Sequence, residues 1–167
     1  MNSSTIYLSK HLTLQQATIC RPGFLNKPTD AQIKALTYWG VNIYDPICEH
    51  FGFNIFTHSI FRDTDYNKAI GGDPKSDHRC IAQDGIHIPA AGDLDLDGNS
   101  RYSNKDLFDF AAKNLRYKQI IWEKGDKNKP DWVHIANSEG NNQMRLTRCL
   151  VENGKTKYID FDLYKVV

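Results

Sequence analysis

Helical and strand signals are segregated along this chain, and that order limits the available folds more than any other feature. Thr29 begins a capping-box pattern with Gln32, and Ile33, Leu36, Gly40, Tyr44, Ile47 and Phe51 follow at helical spacing. Pro46 should kink or split that helix. A shorter helical candidate runs from Leu12 to Ile19. Ser103 with Asp106 caps another helix, whose apolar face is Leu107, Phe110, Ala111 and Leu115. Apart from Asn54 to Phe61, the strand candidates come late, at Gln119 to Glu123, Trp132 to Ala136, Met144 to Val151 and Lys157 to Leu163. Glu152-Asn153-Gly154-Lys155 is a hairpin turn signal between the last two. The expected class is α+β, a small, mostly antiparallel sheet with helices packed on it. Between Asp73 and Gly98 the chain is rich in Asp, Gly and His but has little periodicity.

The 167 residues fit a single domain, with residues 1–11 as a possible N-terminal arm. A formal net charge of +1 gives no electrostatic reason to expect nucleic acid or an anionic membrane as partner. No apolar run is long enough to span a bilayer. The first ten residues lack a basic start followed by an apolar stretch, so synthesis in the cytoplasm without a secretory signal is expected. Cys20, Cys48, Cys80 and Cys149 are scattered, with no C-x-x-C pair, and read as free thiols. A monomer is expected.

Three segments concentrate reactive side chains: Ser76-Asp77-His78, the Asp-rich run Asp93-Leu94-Asp95-Leu96-Asp97-Gly98, and Asp131-Trp132-Val133-His134. Two imidazoles and a carboxylate suit a catalytic zinc, which takes three protein ligands and keeps a further position for water, lowering its pKa to about 7. A second carboxylate must then move the proton. Asp131, three residues before His134, could do so only through a bend or bulge, because strand positions three apart face opposite ways. The Asp93-Asp95-Asp97 spacing also looks like the start of a calcium loop, but its twelfth position is Asn104 where a bidentate Glu is needed.

In order, the segments resemble the zinc D-alanyl-D-alanine carboxypeptidase family, which includes phage L-alanyl-D-glutamate endolysins and the Hedgehog signalling domain as a relative. The motifs are Ser59-Ile60-Phe61-Arg62, Asn67-Lys68-Ala69-Ile70-Gly71-Gly72, Ser76-Asp77-His78, Gln119-Ile120-Ile121-Trp122-Glu123 and Asp131-Trp132-Val133-His134, and the similarity covers roughly residues 12 to 148. The resemblance implies a Hedgehog/DD-peptidase-like fold. It also implies a Zn2+ site formed by His78, Asp93 and His134. Asp131 would be the catalytic carboxylate, Arg62 would stabilise the oxyanion, and Ser76 would support the site or contact substrate. The implied activity is hydrolysis of an amide in peptidoglycan stem peptides, either carboxypeptidase-like or endopeptidase-like. The protein would then act on the cell wall as an endolysin or virion-associated lysis enzyme.

The chain departs from the family pattern in one place. His78 and Asp93 are separated by 14 residues, Arg79 to Gly92, a longer spacer than relatives have. It reads as a loop insertion that either reshapes the cleft or marks lost activity, leaving a binding module of the same fold. Asp84, nearer the usual spacing, and His87, close to Asp93, stay open as alternative ligands. Glu123 stays open as an alternative general base.

Overall fold

The computed structural model describes residues 5–161. Met1–Ser4, part of the N-terminal reading, and Leu163, the expected end of the last strand, lie outside the described residues. The early helices form where the sequence places their caps. Thr13 and Gln16 make a capping box for α1 (Leu14–Ala17), and Thr29 and Gln32 make one for α2 (Asp30–Trp39). Beyond Trp39 the helix widens into a π-helical turn, Gly40–Tyr44, and continues as α3 (Asp45–Phe51). Pro46 sits in the first turn of α3, where its missing N–H is least costly. The segment is therefore divided without a break in direction imposed by the proline ring. Gly40 is needed there, because a Cβ would lie 2.8 Å from Ser9 Oγ. That contact belongs to the N-terminal arm, which Asp45 fastens by accepting hydrogen bonds from Ser9 Oγ, Lys10 N and His11 N.

Six strands follow: β1 (Phe56–Ser59), β2 (Pro89–Asp95), β3 (Gln119–Glu123), β4 (Trp132–Ser138), β5 (Arg145–Glu152) and β6 (Lys155–Asp160). Helix α4 (Thr64–Ala69) falls between β1 and β2, and α5 (Asn104–Asn114) between β2 and β3. The sheet order is β1-β2-β4-β3-β5-β6. The fold is α+β, as expected, but the sheet is mixed, which corrects the expectation of a mostly antiparallel one. β3 and β5 pair in parallel, Gln119 beside Arg145 through Glu123 beside Cys149. The cause is the connection after β4. Residues 139–144 pass round the start of β3 and deliver β5 to its free edge in the same direction, with Met144 N donating to Tyr117 O. The hairpin signal held: Asn153 and Gly154 both have positive φ, as a tight β5–β6 turn requires.

β2 was not legible as a strand. It occupies the end of the aperiodic stretch and is buried on both faces, so its sequence does not alternate. One face of the sheet carries the core, where Leu94, Val133, Ile135 and Ile120 pack with Leu36, Trp39, Ile43, Leu107 and Phe108 of the helices. Trp39 reaches furthest: its indole Nε1 donates to Ile135 O, and a Cβ on Gly92 would lie 2.4 Å from its ring. Only glycine lets the helix layer close on β2 at that point. The opposite face of the same strands is open and holds the cleft. No helix among the described residues is long and apolar enough to cross a membrane.

Candidate metal centre and cleft

Strand alternation explains how the chemical groups come together. Asp93 on β2 is directly opposite His134 on β4, and His134 is directly opposite Ile121 on β3. Side chains on one face recur every two residues, so Trp132 and Glu123 share the face of His134, and Cys149 and Tyr158 continue the row of Glu123 onto β5 and β6. His78 arrives from outside the sheet, on a single 3₁₀ turn, Asp77–Arg79. Two bonds fasten that turn to the segment leaving β1: Arg62 N donates to His78 O, and His78 Nδ1 lies 2.7 Å from Ile60 O. A carbonyl can only accept, so Nδ1 carries the proton and Nε2 presents its lone pair to the site.

The result is a tight, buried triangle. His78 Nε2 lies 3.2 Å from Asp93 Oδ1 and 3.1 Å from His134 Nδ1, and His134 Nδ1 lies 2.9 Å from Asp93 Oδ1. These three residues can hold a metal ion. A tetrahedral ion with bonds of ~2.0–2.1 Å places its ligand atoms roughly 3.3 Å apart, close to the spacing present here. Nitrogen and oxygen donors of this kind suit a first-row divalent ion. Arg62 supports the triangle from outside, with Nη2 donating to Asp93 Oδ2 at 2.6 Å and Nε to Ser59 Oγ. This contact orients the carboxylate so that its other oxygen faces the imidazoles.

The electrostatics agree with a site built for a cation. Burial pushes the His78 imidazole below its ordinary value, which keeps it neutral. Burial also works against the Asp93 carboxylate, but the imidazoles of His78 and His134 outweigh it and hold Asp93 well below the carboxylate range. For His134, burial is outweighed by its hydrogen bond to Asp93, and its pKa is raised. Glu123 is buried beside the site and raised by that burial, with His134 opposing the shift.

The triangle forms the floor of an open cleft of about 570 Å³, a volume suited to several residues of a peptide. Arg62, Ser76, His78, Asp93, Glu123 and His134 all line it. Asp131 does not. It precedes β4 on the alternation of Val133, which faces the core, and no bulge turns it round; its side chain is exposed. Its backbone is occupied, with N–H donating to Glu123 O and the carbonyl accepting from Asn104 Nδ2. Glu123 is the carboxylate beside the triangle in the cleft, whereas Asp131, expected in that role, does not line it. Asp84 and His87 are also outside the cleft. They pair with each other at 2.6 Å on the inserted loop, which packs beside α2 and near Asn141. No residue of the insertion lines the cleft. The Asp-rich run is no calcium loop either: Asp95 engages His58 and Asn104, and Asp97 pairs with Lys129.

Lys118, Lys124, Arg145 and Tyr158 also line the cleft and were not singled out in the sequence, and Cys149, read there only as a free thiol, lines it too. Alternation on β3 and β5 could have marked them, but only with the parallel register known. No protein-family model matches the sequence, and no curated protein is significantly similar to it.

Proposed function

We propose that this chain is a zinc-dependent peptidase that hydrolyses an amide bond in bacterial peptidoglycan stem peptides. The observation that carries the reading is the buried His78–Asp93–His134 triangle at the floor of a peptide-sized cleft, with Arg62 and Glu123 beside it. The motifs resemble those of zinc D-alanyl-D-alanine carboxypeptidases and phage L-alanyl-D-glutamate endolysins, and we infer a Hedgehog/DD-peptidase-like fold and an endolysin or virion-associated role at the cell wall from that resemblance.

His78 Nε2, Asp93 Oδ1 and His134 Nδ1 would hold the zinc. When bound, it supplies Lewis-acid polarisation and a nucleophile at neutral pH. The remaining chemistry belongs to the chain. Glu123 accepts a proton from the attacking water and passes it to the leaving amine. Arg62 has Nε and Nη2 fixed by Ser59 and Asp93. Its Nη1, without a partner among the described residues, donates to the carbonyl oxygen of the substrate as negative charge grows there. Ser76 lines the wall near His78 and is a substrate contact. The raised pKa of Glu123 suits a general base, because it brings proton affinity closer to neutral pH.

The test pairs zinc content of the purified protein with release of new amines from purified peptidoglycan. One equivalent of zinc and chelator-sensitive release are expected, and mass spectrometry of the products identifies the bond. Glu123→Gln should keep the zinc and lose about 10²–10⁴-fold in rate, while Asp131→Asn stays within about twofold of the parent. The reverse pattern would restore Asp131 as the base. Stoichiometric zinc with no release from any wall type would refute the peptidase reading.

A further inference from the structure

The charges lining the cleft are unevenly satisfied. Arg62 is paired with Asp93, and Lys118 Nζ is paired with Asp77 at 2.6 Å. Asp73 accepts the backbone N–H of Lys75, and Glu123 is buried. Asp93 and Asp77 are thus paired and Glu123 is withdrawn from solvent, which leaves Asp73 as the exposed acid of the cleft. Lys75, Lys124 and Arg145 also line it, all three are exposed, and none pairs with an acid among the described residues. Lys124 instead lies over the Trp132 ring, 5.0 Å from its centroid. A divalent ion on the triangle would add to this excess of positive charge.

Arg145 has the most specific position. It is beside Gln119, two residues along β3 from Ile121, which is directly opposite His134. Strands are about 4.8 Å apart and rise about 3.3 Å per residue, so the backbones of Arg145 and His134 are roughly 12 Å apart on the same face. Allowing for the length of the arginine side chain, its guanidinium serves a group about two residues of extended peptide from the metal centre. A guanidinium offers a planar pair of donors that matches both oxygens of a carboxylate. A primary amide in the same place matches it poorly, because its NH2 group meets a second set of donors.

We propose that the cleft selects acidic peptides, and that Arg145, helped by the field of Lys75 and Lys124, binds a substrate carboxylate about two residues from the scissile bond. This rests on the peptidase reading above and sharpens it. Among stem peptides, those with a free carboxylate on the glutamate residue are preferred to those in which it is amidated.

Calorimetry on zinc-loaded Glu123→Gln protein tests the point without turnover. The probes are L-Ala-γ-D-Glu-L-Lys-D-Ala-D-Ala with the glutamate α-carboxylate free and the same peptide with that group amidated. The free acid should bind roughly tenfold more tightly, and the advantage should shrink as salt is raised. Arg145→Gln should bring the ratio close to one while leaving zinc content and affinity for the amide unchanged. Arg145→Lys should restore part of it. Arg145 is exposed, so these replacements leave the core intact. The same ratio measured as kcat/KM in the parent protein does not depend on the Glu123 substitution. Equal affinity for the two peptides, or a preference that survives Arg145→Gln, overturns this inference and leaves the peptidase reading standing. Absence of binding and cleavage for both peptides overturns the two together.

Discussion

The helix-backed half of the sheet and the β5–β6 hairpin contribute to one cleft under different physical conditions. β2, β3 and β4 have helices behind them, and their cleft-facing groups include buried Asp93, Glu123 and His134. β6 is exposed along its whole length, and β5 is only partly covered. A buried carboxylate or imidazole has its orientation and pKa set by its neighbours, which suits proton transfer and metal binding. An exposed arginine at a strand end keeps its charge and its freedom, which suits recognition of a partner that varies. Under the proposed function the contrast is a division of labour, with chemistry on the helix-backed half and selection on the open half.

The largest test of that division is removal of a ligand. His134→Ala should reduce zinc to less than about a tenth of an equivalent, since loss of a supporting partner alone costs about 10–100-fold in metal affinity or activity. Arg145→Gln should leave a full equivalent. Metal analysis of the two proteins side by side decides the matter, and similar zinc in both would sink the ligand assignment. Arg62→Lys comes next, because a lysine cannot donate to Asp93 and Ser59 with the same fixed fork. A loss of about 10–100-fold in metal affinity is expected, measured by competition with a chelating dye.

Packing effects should be smaller. Gly92→Ala forces a methyl group into the Trp39 ring and should destabilise the protein by about 1–3 kcal/mol, read from denaturant melts. A change of the same size on the hairpin is not expected. Gly154→Ala, at φ +74°, should cost about 1 kcal/mol and leave zinc binding unaltered. If it released the metal, the two halves would not be independent.

The smallest effect concerns Glu123 in the metal-free protein. Burial raises its pKa in the fold above the ordinary 4.5. A raised carboxyl contributes stability that is fully present below the unfolded value and is lost as pH rises through the folded value. Glutamine has no such loss. Metal-free Glu123→Gln should therefore melt above the parent at neutral pH, with the gap closing as the buffer is taken below the ordinary carboxyl value of 4.5. A melting gap independent of pH would mean that Glu123 is not held in a charge-averse position.

Much of the fold was legible because its signals are local. Thr29 with Gln32 forms the expected capping box, Ser103 caps its helix as expected, and Asn153-Gly154 forms the expected turn. β2 was not legible because a strand buried on both faces loses its alternation. The parallel pairing of β3 with β5 was not legible because it depends on the route of residues 139–144, not on either strand's own composition.

The candidate site divides in the same way. The sequence by itself identified the residue types and the three segments that carry them, because donor chemistry belongs to the side chains; it singled out His78, Asp93 and His134 as a ligand set only through the family resemblance, and the fold brings those three together. That Glu123 lines the cleft and Asp131 does not was decided by the tertiary structure. Asp131 is nearer His134 in sequence, but strand alternation sends it to the wrong face, while Glu123 reaches the cleft from the neighbouring strand. The same holds for Asp84 and His87, which the folded loop pairs with each other away from the metal centre. Arg145 entered the cleft only through the β3–β5 register. Which groups meet is decided by long-range packing, and no residue's neighbours in sequence carry that information.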